Sequence, residues 1–247
     1  MKYVVNDEIQ KFLDEITHND IEVIKSGWGD NDTILKIGDE EQRGRILDWE
    51  DIPNTLYHVT IYKNEILSTG YLKAQRMGKG FGGGRIAGIS VTSNIDIAEQ
   101  YYWGMLFALK LANATSPKHV LEISDWWFSK QENRIGKDLS HLKERFRNDF
   151  LWTDRPNFNE RAEGSRRASL IGSSVDERIK DPIIFDATNN LKGISEDNMA
   201  IFIIYKKNIP EETPVITGTD SSHINEFIEL RILNDVPYNK YYTPRVY

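Results

Sequence analysis

A carboxylate in an apolar row is costly unless something pairs with it or uses it. Glu226 sits in such a row. The run Ile224-Asn225-Glu226-Phe227-Ile228-Glu229-Leu230-Arg231-Ile232 predicts a strand. Strand alternation puts Ile224, Glu226, Ile228, Leu230 and Ile232 on one face, which is otherwise apolar. Glu229 falls on the other face beside Arg231, where a solvated charge is ordinary. Two earlier runs carry further polar groups. His58 and Thr60 are two apart and share one side of a strand, while Tyr57, Val59 and Ile61 take the other. Ser90 and Thr92 share a face with Gly88. If these strands are neighbours, one hollow collects an imidazole, several hydroxyls and a carboxylate, with Tyr101 and Tyr102 at its rim. Such a set suits a sugar ring. Hydroxyls and imidazole bond ribose oxygens, a carboxylate stabilises an oxocarbenium-like centre, and tyrosines stack on a flat heterocycle.

The elements that must position these groups are read from periodicity and punctuation. Residues 7–17 predict a short amphipathic helix, with Ile9, Phe12, Leu13 and Ile16 at helical spacing. Short β-like runs follow at Ile21–Ile24 and Thr33–Ile37, and Asp51-Ile52-Pro53-Asn54 punctuates the chain. Residues 1–50 therefore read as an N-terminal extension packed on a main domain over 51–247. That domain opens with a strand over 55–62. A glycine-rich loop spans 69–85 and includes Lys79 and Arg85, and a second strand runs from Ile86 to Thr92. Ser93 or Asn94 caps a helix carrying Ala98, Tyr101, Met105, Ala108 and Ala112 on one face. Val120-Leu121-Glu122-Ile123 predicts a third strand, and an insertion rich in aromatics and arginines occupies about 124–190. Ala200–Tyr205 is a buried strand, Pro214–Thr217 a short one and 224–232 the last. Strands with a few interspersed helices make the class α+β.

Bulk properties exclude several function classes. The 247 residues carry a net charge of −7, which disfavours nonspecific attraction to a phosphate backbone. The absence of cysteine excludes disulfides, thiol chemistry and thiolate zinc sites. His18, His119, His141 and His223 have no metal-ligand spacing, so no metal is expected. No apolar run approaches the ~20 residues needed to cross a bilayer, and the first residues lack a signal-peptide core. A cytoplasmic protein is the expectation, with action as a secreted or injected effector in a host cytoplasm as the other reading.

Tyr57-His58-Val59-Thr60, Gly88-Ile89-Ser90-Val91-Thr92-Ser93 leading into Ala98-Glu99-Gln100-Tyr101-Tyr102, and Asn225-Glu226-Phe227-Ile228 together resemble the ADP-ribosyltransferase superfamily. They look most like its His-Tyr-Glu branch, shared by diphtheria-toxin-like and poly(ADP-ribose)polymerase-like enzymes. The resemblance covers about 55–110 and 222–232. It implies two packed, mainly antiparallel sheets around an NAD cleft with flanking helices, and NAD as substrate. His58 would hold the adenosine ribose, the Val59 backbone the nicotinamide amide, and Thr60 the dinucleotide. Tyr101 or Tyr102 would stack on nicotinamide, and Glu226 would favour its departure. Gly88, Ser90 and Thr92 would line the cleft, and the glycine loop would cover it, with Lys79 or Arg85 near the pyrophosphate.

The chain departs from that pattern at three places. Val59 replaces a glycine. Ser90 stands where the branch often has tyrosine, and Ser90-Val91-Thr92-Ser93 is similar to the Ser-Thr-Ser strand of the Arg-Ser-Glu branch. Ile224 stands where arginine-modifying members carry Glu or Gln. The resemblance implies a mono-ADP-ribosyltransferase acting on a protein or nucleic-acid acceptor. An NAD glycohydrolase of the same fold and a non-catalytic module binding NAD, ADP-ribose or nucleic acid are the alternatives. Each residue also has an ordinary reading: His58 as a half-buried strand histidine, Glu226 in a cross-strand ion pair, the tyrosines as core aromatics.

Overall fold

The computed structural model describes residues 21–25, 33–37, 40–74, 88–144, 191–217 and 229–244. The chain divides into two compact units, one of Met1–Ala98 with Ile201–Tyr242 and one of Glu99–Ala200 with Thr243–Tyr247. Mixed helices and several antiparallel sheets make the class α+β, as expected.

The first unit begins with an antiparallel meander, β1 (Ile21–Lys25), β2 (Thr33–Ile37) and β3 (Glu40–Arg43). Alternation sets its faces: Leu35 and Ile37 are buried, while Lys36 is exposed and pairs with Glu22 on the neighbouring strand. Ile21, Leu35 and Ile37 share a core cluster with Ile216 and Leu233, so these first strands bury their apolar face against late ones. The chain after β3 continues this pairing. Leu47 N–H donates to the Val215 carbonyl at 2.8 Å, and Thr217 N–H to the Arg45 carbonyl at 2.9 Å.

Next come β4 (Thr55–Thr60), α1 (Lys63–Thr69), β5 (Tyr71–Leu72) and β6 (Ile89–Val91). The late strands are β7 (Ala200–Tyr205), β8 (Val215–Thr217), β9 (Leu230–Ile232), β10 (Val236–Pro237) and β11 (Lys240–Tyr242). Among the described residues they form sheets in the orders β11-β7-β4, β6-β9-β8 and β10-β5, beside the meander. β7 is the apolar centre of its sheet; Ile201, Phe202 and Ile204 have no exposed surface. The first two of these sheets are stitched edge to edge. Tyr57 and Thr92 exchange both backbone hydrogen bonds, at 2.8 and 3.0 Å. This stitch brings β4 alongside β6.

α2 (Ile95–Ala112) starts in the first unit and continues into the second. Asn94 caps it: Oδ1 accepts from Asp96 N at 2.9 Å, satisfying a helix-terminal donor. The expected single apolar face understates its burial, because residues 102–109 are all buried.

The expected strand Val120–Ile123 is a correction: it lies inside α3 (Pro117–Ile135). Ser116 Oγ accepts from His119 N at 3.2 Å and Pro117 opens the first turn, a strong helix start. Val120, Ile123, Trp127 and Phe128 then recur at helical spacing and fill one core with Phe107 and Leu111. Trp127 stacks on Phe107 with centroids 4.6 Å apart and donates from Nε1 to the Trp103 carbonyl at 3.1 Å. That core belongs to the second unit.

Candidate functional site

Register builds the site. On β6 and β9 the pairs are Ile89 with Ile232, Ser90 with Arg231 and Val91 with Leu230. The apolar pairs are all buried. Ser90 and Arg231 therefore face the other side together, and Glu229, two residues before Arg231, joins them. Gly88 lets the strands approach at this point. Its φ is +99°, and a Cβ there would stand 2.7 Å from the Ile232 carbonyl oxygen.

Four side chains and one carbonyl then form a connected set. Ser90 Oγ–H donates to Glu229 Oε1 at 3.1 Å. The Arg231 guanidinium pairs with the same oxygen. The Ser90 backbone carbonyl lies 2.7 Å from Nδ1 of His58. A carbonyl only accepts, so Nδ1 carries the proton and Nε2 keeps its lone pair. Burial, and then the Arg231 charge, push the His58 pKa down to about 4, against the Ser90 carbonyl bond that pulls it up. His58 is thus neutral at pH 7, a fixed tautomer whose Nε2 has the lone pair of an acceptor.

This arrangement is not that of an activated serine. The imidazole holds the Ser90 carbonyl rather than its hydroxyl, and the hydroxyl donates to a carboxylate. The set instead offers an acceptor nitrogen and an oriented anion. Those groups suit sugar hydroxyls and a developing cation.

The structure brings together His58 and Ser90 of the expected residues. It sets Thr60 and Thr92 to local duties: Thr60 Oγ1 accepts from Tyr62 N at 3.1 Å, and Thr92 Oγ1 from Asn94 N at 3.2 Å. Both threonines are buried, and Val59 is half-buried on the opposite face of β4. Tyr101 and Tyr102 belong to the second unit. Tyr102 is buried and meets Trp103 edge-on at 5.5 Å, while Tyr101 keeps part of its surface. Burial, with the Glu196 carboxylate adding to it, pushes the Tyr102 phenol up to about 12. Glu226, Lys79 and Arg85 lie outside the described residues, as does the expected 7–17 helix.

Glu229 and Arg231 are the groups that sequence reading passed over. Alternation along one strand gives them a solvated face. The face is in fact shared with Ser90 across the ladder, and the Arg231 side chain is only 15% exposed. The signal available in the sequence was the two-residue spacing of Glu229 and Arg231, which puts opposite charges on one face.

A 480 Å³ cleft in the second unit is lined by Lys110, Asn113, His119 and Glu196 among others, and by none of the expected site residues. Three of its polar side chains are already engaged. Lys110 pairs with Glu196 at 2.5 Å, and the Asn113 amide bonds the Leu109 and Leu191 carbonyls and Gly193 N–H. No group of histidine and carboxylate side chains able to hold a metal occurs among the described residues. No helix among them is long and apolar enough to cross a membrane. Comparison with protein-family models, curated proteins and solved structures gives no match for this chain.

Proposed function

We propose that the protein is an NAD-dependent mono-ADP-ribosyltransferase that moves ADP-ribose to a macromolecular acceptor and releases nicotinamide. One observation carries the reading: a neutral imidazole on β4, a serine on β6 and a carboxylate just before β9 are linked by hydrogen bonds through Ser90. His58 and Ser90 belong to two of the three motifs that carry the resemblance; the third, around Glu226, lies outside the described residues. His58 Nε2 would accept from a ribose hydroxyl, and NAD would lie between the sheets that β4 and β6 begin. The bond between C1′ of the nicotinamide ribose and the ring nitrogen breaks, and its electron pair leaves with neutral nicotinamide. The carboxylate offsets positive charge on the ribosyl centre. The acceptor's nucleophile then bonds C1′ and gives up its proton to solvent.

Glu229 is the carboxylate that the described residues offer for this role; Glu226 lies outside them. The cytoplasm, the cell's own or a host's, is the compartment proposed for the reaction, in keeping with a chain that has no cysteine.

The test incubates the full chain with NAD labelled in both halves, alone and with cell lysate. Nicotinamide release with label on a macromolecule is expected, and Glu229→Gln should lower the rate about 100-fold or more. Free ADP-ribose as the sole second product would make water the acceptor. Full activity in Glu229→Gln with loss in Glu226→Gln would return the role to Glu226. Absence of nicotinamide release under every condition would overturn the proposal.

A further inference from the structure

Glu229 takes both of its hydrogen bonds on one oxygen. Ser90 Oγ and the Arg231 guanidinium converge on Oε1, and Oε2 receives no hydrogen bond from the described residues. A carboxylate gripped in this way is held by one oxygen, and its second oxygen is left for another partner. The glutamate side chain as a whole is 36% exposed.

The position of Arg231 is unusual for an arginine that only solvates a surface. It stands between two strands, directly opposite Ser90 on β6 and Ile216 on β8. Its side chain is largely covered, and Nε is buried with no hydrogen-bond partner among the described residues. Burying a guanidinium with an unsatisfied N–H carries a cost that a single ion pair offsets only in part. A group held there at a cost is a candidate for function.

We infer that Arg231 is a positioning residue: it locks Oε1 of Glu229 so that Oε2 meets the ribosyl carbon, and it does not itself touch the substrate. The inference rests on the proposed role of Glu229. Ser90 alone cannot do this, because one hydrogen bond leaves the carboxylate free to swing about it. Two donors on one oxygen remove that freedom before the reaction begins, which is where preorganisation acts. Lysine keeps the charge but lacks the planar fork, so it restores the attraction without the direction.

The experiment combines two readouts on the full chain. The first is steady-state nicotinamide release by wild type, Arg231→Met and Arg231→Lys. Arg231→Met should lower kcat about 10-fold or more with KM within about twofold, and Arg231→Lys should fall between. The second is a double-mutant cycle of Arg231→Met with Glu229→Gln on the unfolding equilibrium. A coupling of about fivefold or more in the unfolding constant is expected. An Arg231→Met kcat within about twofold of wild type, a change confined to KM, or a coupling below about twofold would overturn the inference. Absence of nicotinamide release by wild type sinks the functional reading instead, and the cycle then decides the positioning by itself. Arg231→Lys in the same cycle separates a lost ion pair from a variant that fails to fold.

Discussion

Nδ1 of His58 stands 2.7 Å from the carbonyl oxygen of Ser90, a residue 32 positions further along the chain. The contact exists because Tyr57, one residue before His58, and Thr92, two residues after Ser90, stitch their strands together. It ties the protonation of one ring to the stability of the fold. An unfolded histidine titrates at 6.5, the native one at about 4. Between these values the unfolded chain takes up a proton that the native state refuses. The contribution is therefore present above pH 6.5 and lost as pH falls through 4, by up to about 3 kcal/mol. Denaturant unfolding from pH 7 to 4 should show this loss in wild type, and the His58→Gln curve should lack that part of the slope. Parallel curves would refute it. Nitrogen-detected NMR should also find the Nδ1–H tautomer at pH 7.

Gly88 gives a second test, on the stability of the same strand pair. Its φ of +99° strains any other residue, and an added Cβ would stand 2.7 Å from the Ile232 carbonyl oxygen and 2.9 Å from Leu233 Cδ2. Gly88→Ala should destabilise by about 1–3 kcal/mol from backbone strain, with the clash adding to it. It should also lower any activity, since Ser90 is two residues away. A change within about 0.5 kcal/mol, the range of ordinary surface substitutions, would contradict this account.

Local signals in the sequence located much of the fold. Asn94 before Asp96 marks a helix start because a cap is a contact between near neighbours. The apolar run Ala200–Tyr205 marks a central strand because no polar residue interrupts it. Val120–Ile123 misled because four apolar-rich residues fit either period; the Ser116-Pro117 start and the returns at Trp127 and Phe128 decide for helix. The site was legible only by halves. Alternation put His58 and Ser90 on polar positions, but the carboxylate that meets Ser90 lies 139 positions away. Which residue of one strand faces which of another is a matter of register, and register is set by packing rather than by either strand alone.

The core of the second unit can be tested at Trp127. The side chain has no exposed surface, stacks on Phe107 and packs edge-on against Phe128 at 5.0 Å. Trp127→Ala should cost about 3–5 kcal/mol, the range for deleting a buried aromatic. Trp127→Phe keeps most of the ring packing but removes the bond from Nε1 to the Trp103 carbonyl, and should cost about 1–3 kcal/mol. Thermal unfolding followed by circular dichroism measures both. Equal losses would mean that the hydrogen bond, not the packing, dominates.

Tyr102 provides the alkaline counterpart of His58. Burial, and then the nearby Glu196 carboxylate, disfavour its phenolate and hold its pKa at about 12, against 10 for an ordinary tyrosine. Above pH 10 the unfolded chain loses this proton while the native state keeps it. The neutral phenol therefore contributes stability below pH 10 that is lost as pH rises through 12. Ultraviolet titration of the native protein should show a tyrosine ionisation at about 12, and Tyr102→Phe should remove that late step. Glu196→Gln should move the step to lower pH without abolishing it, because burial is the larger cause. A late step that survives Tyr102→Phe would assign it elsewhere and remove this reading of the buried phenol.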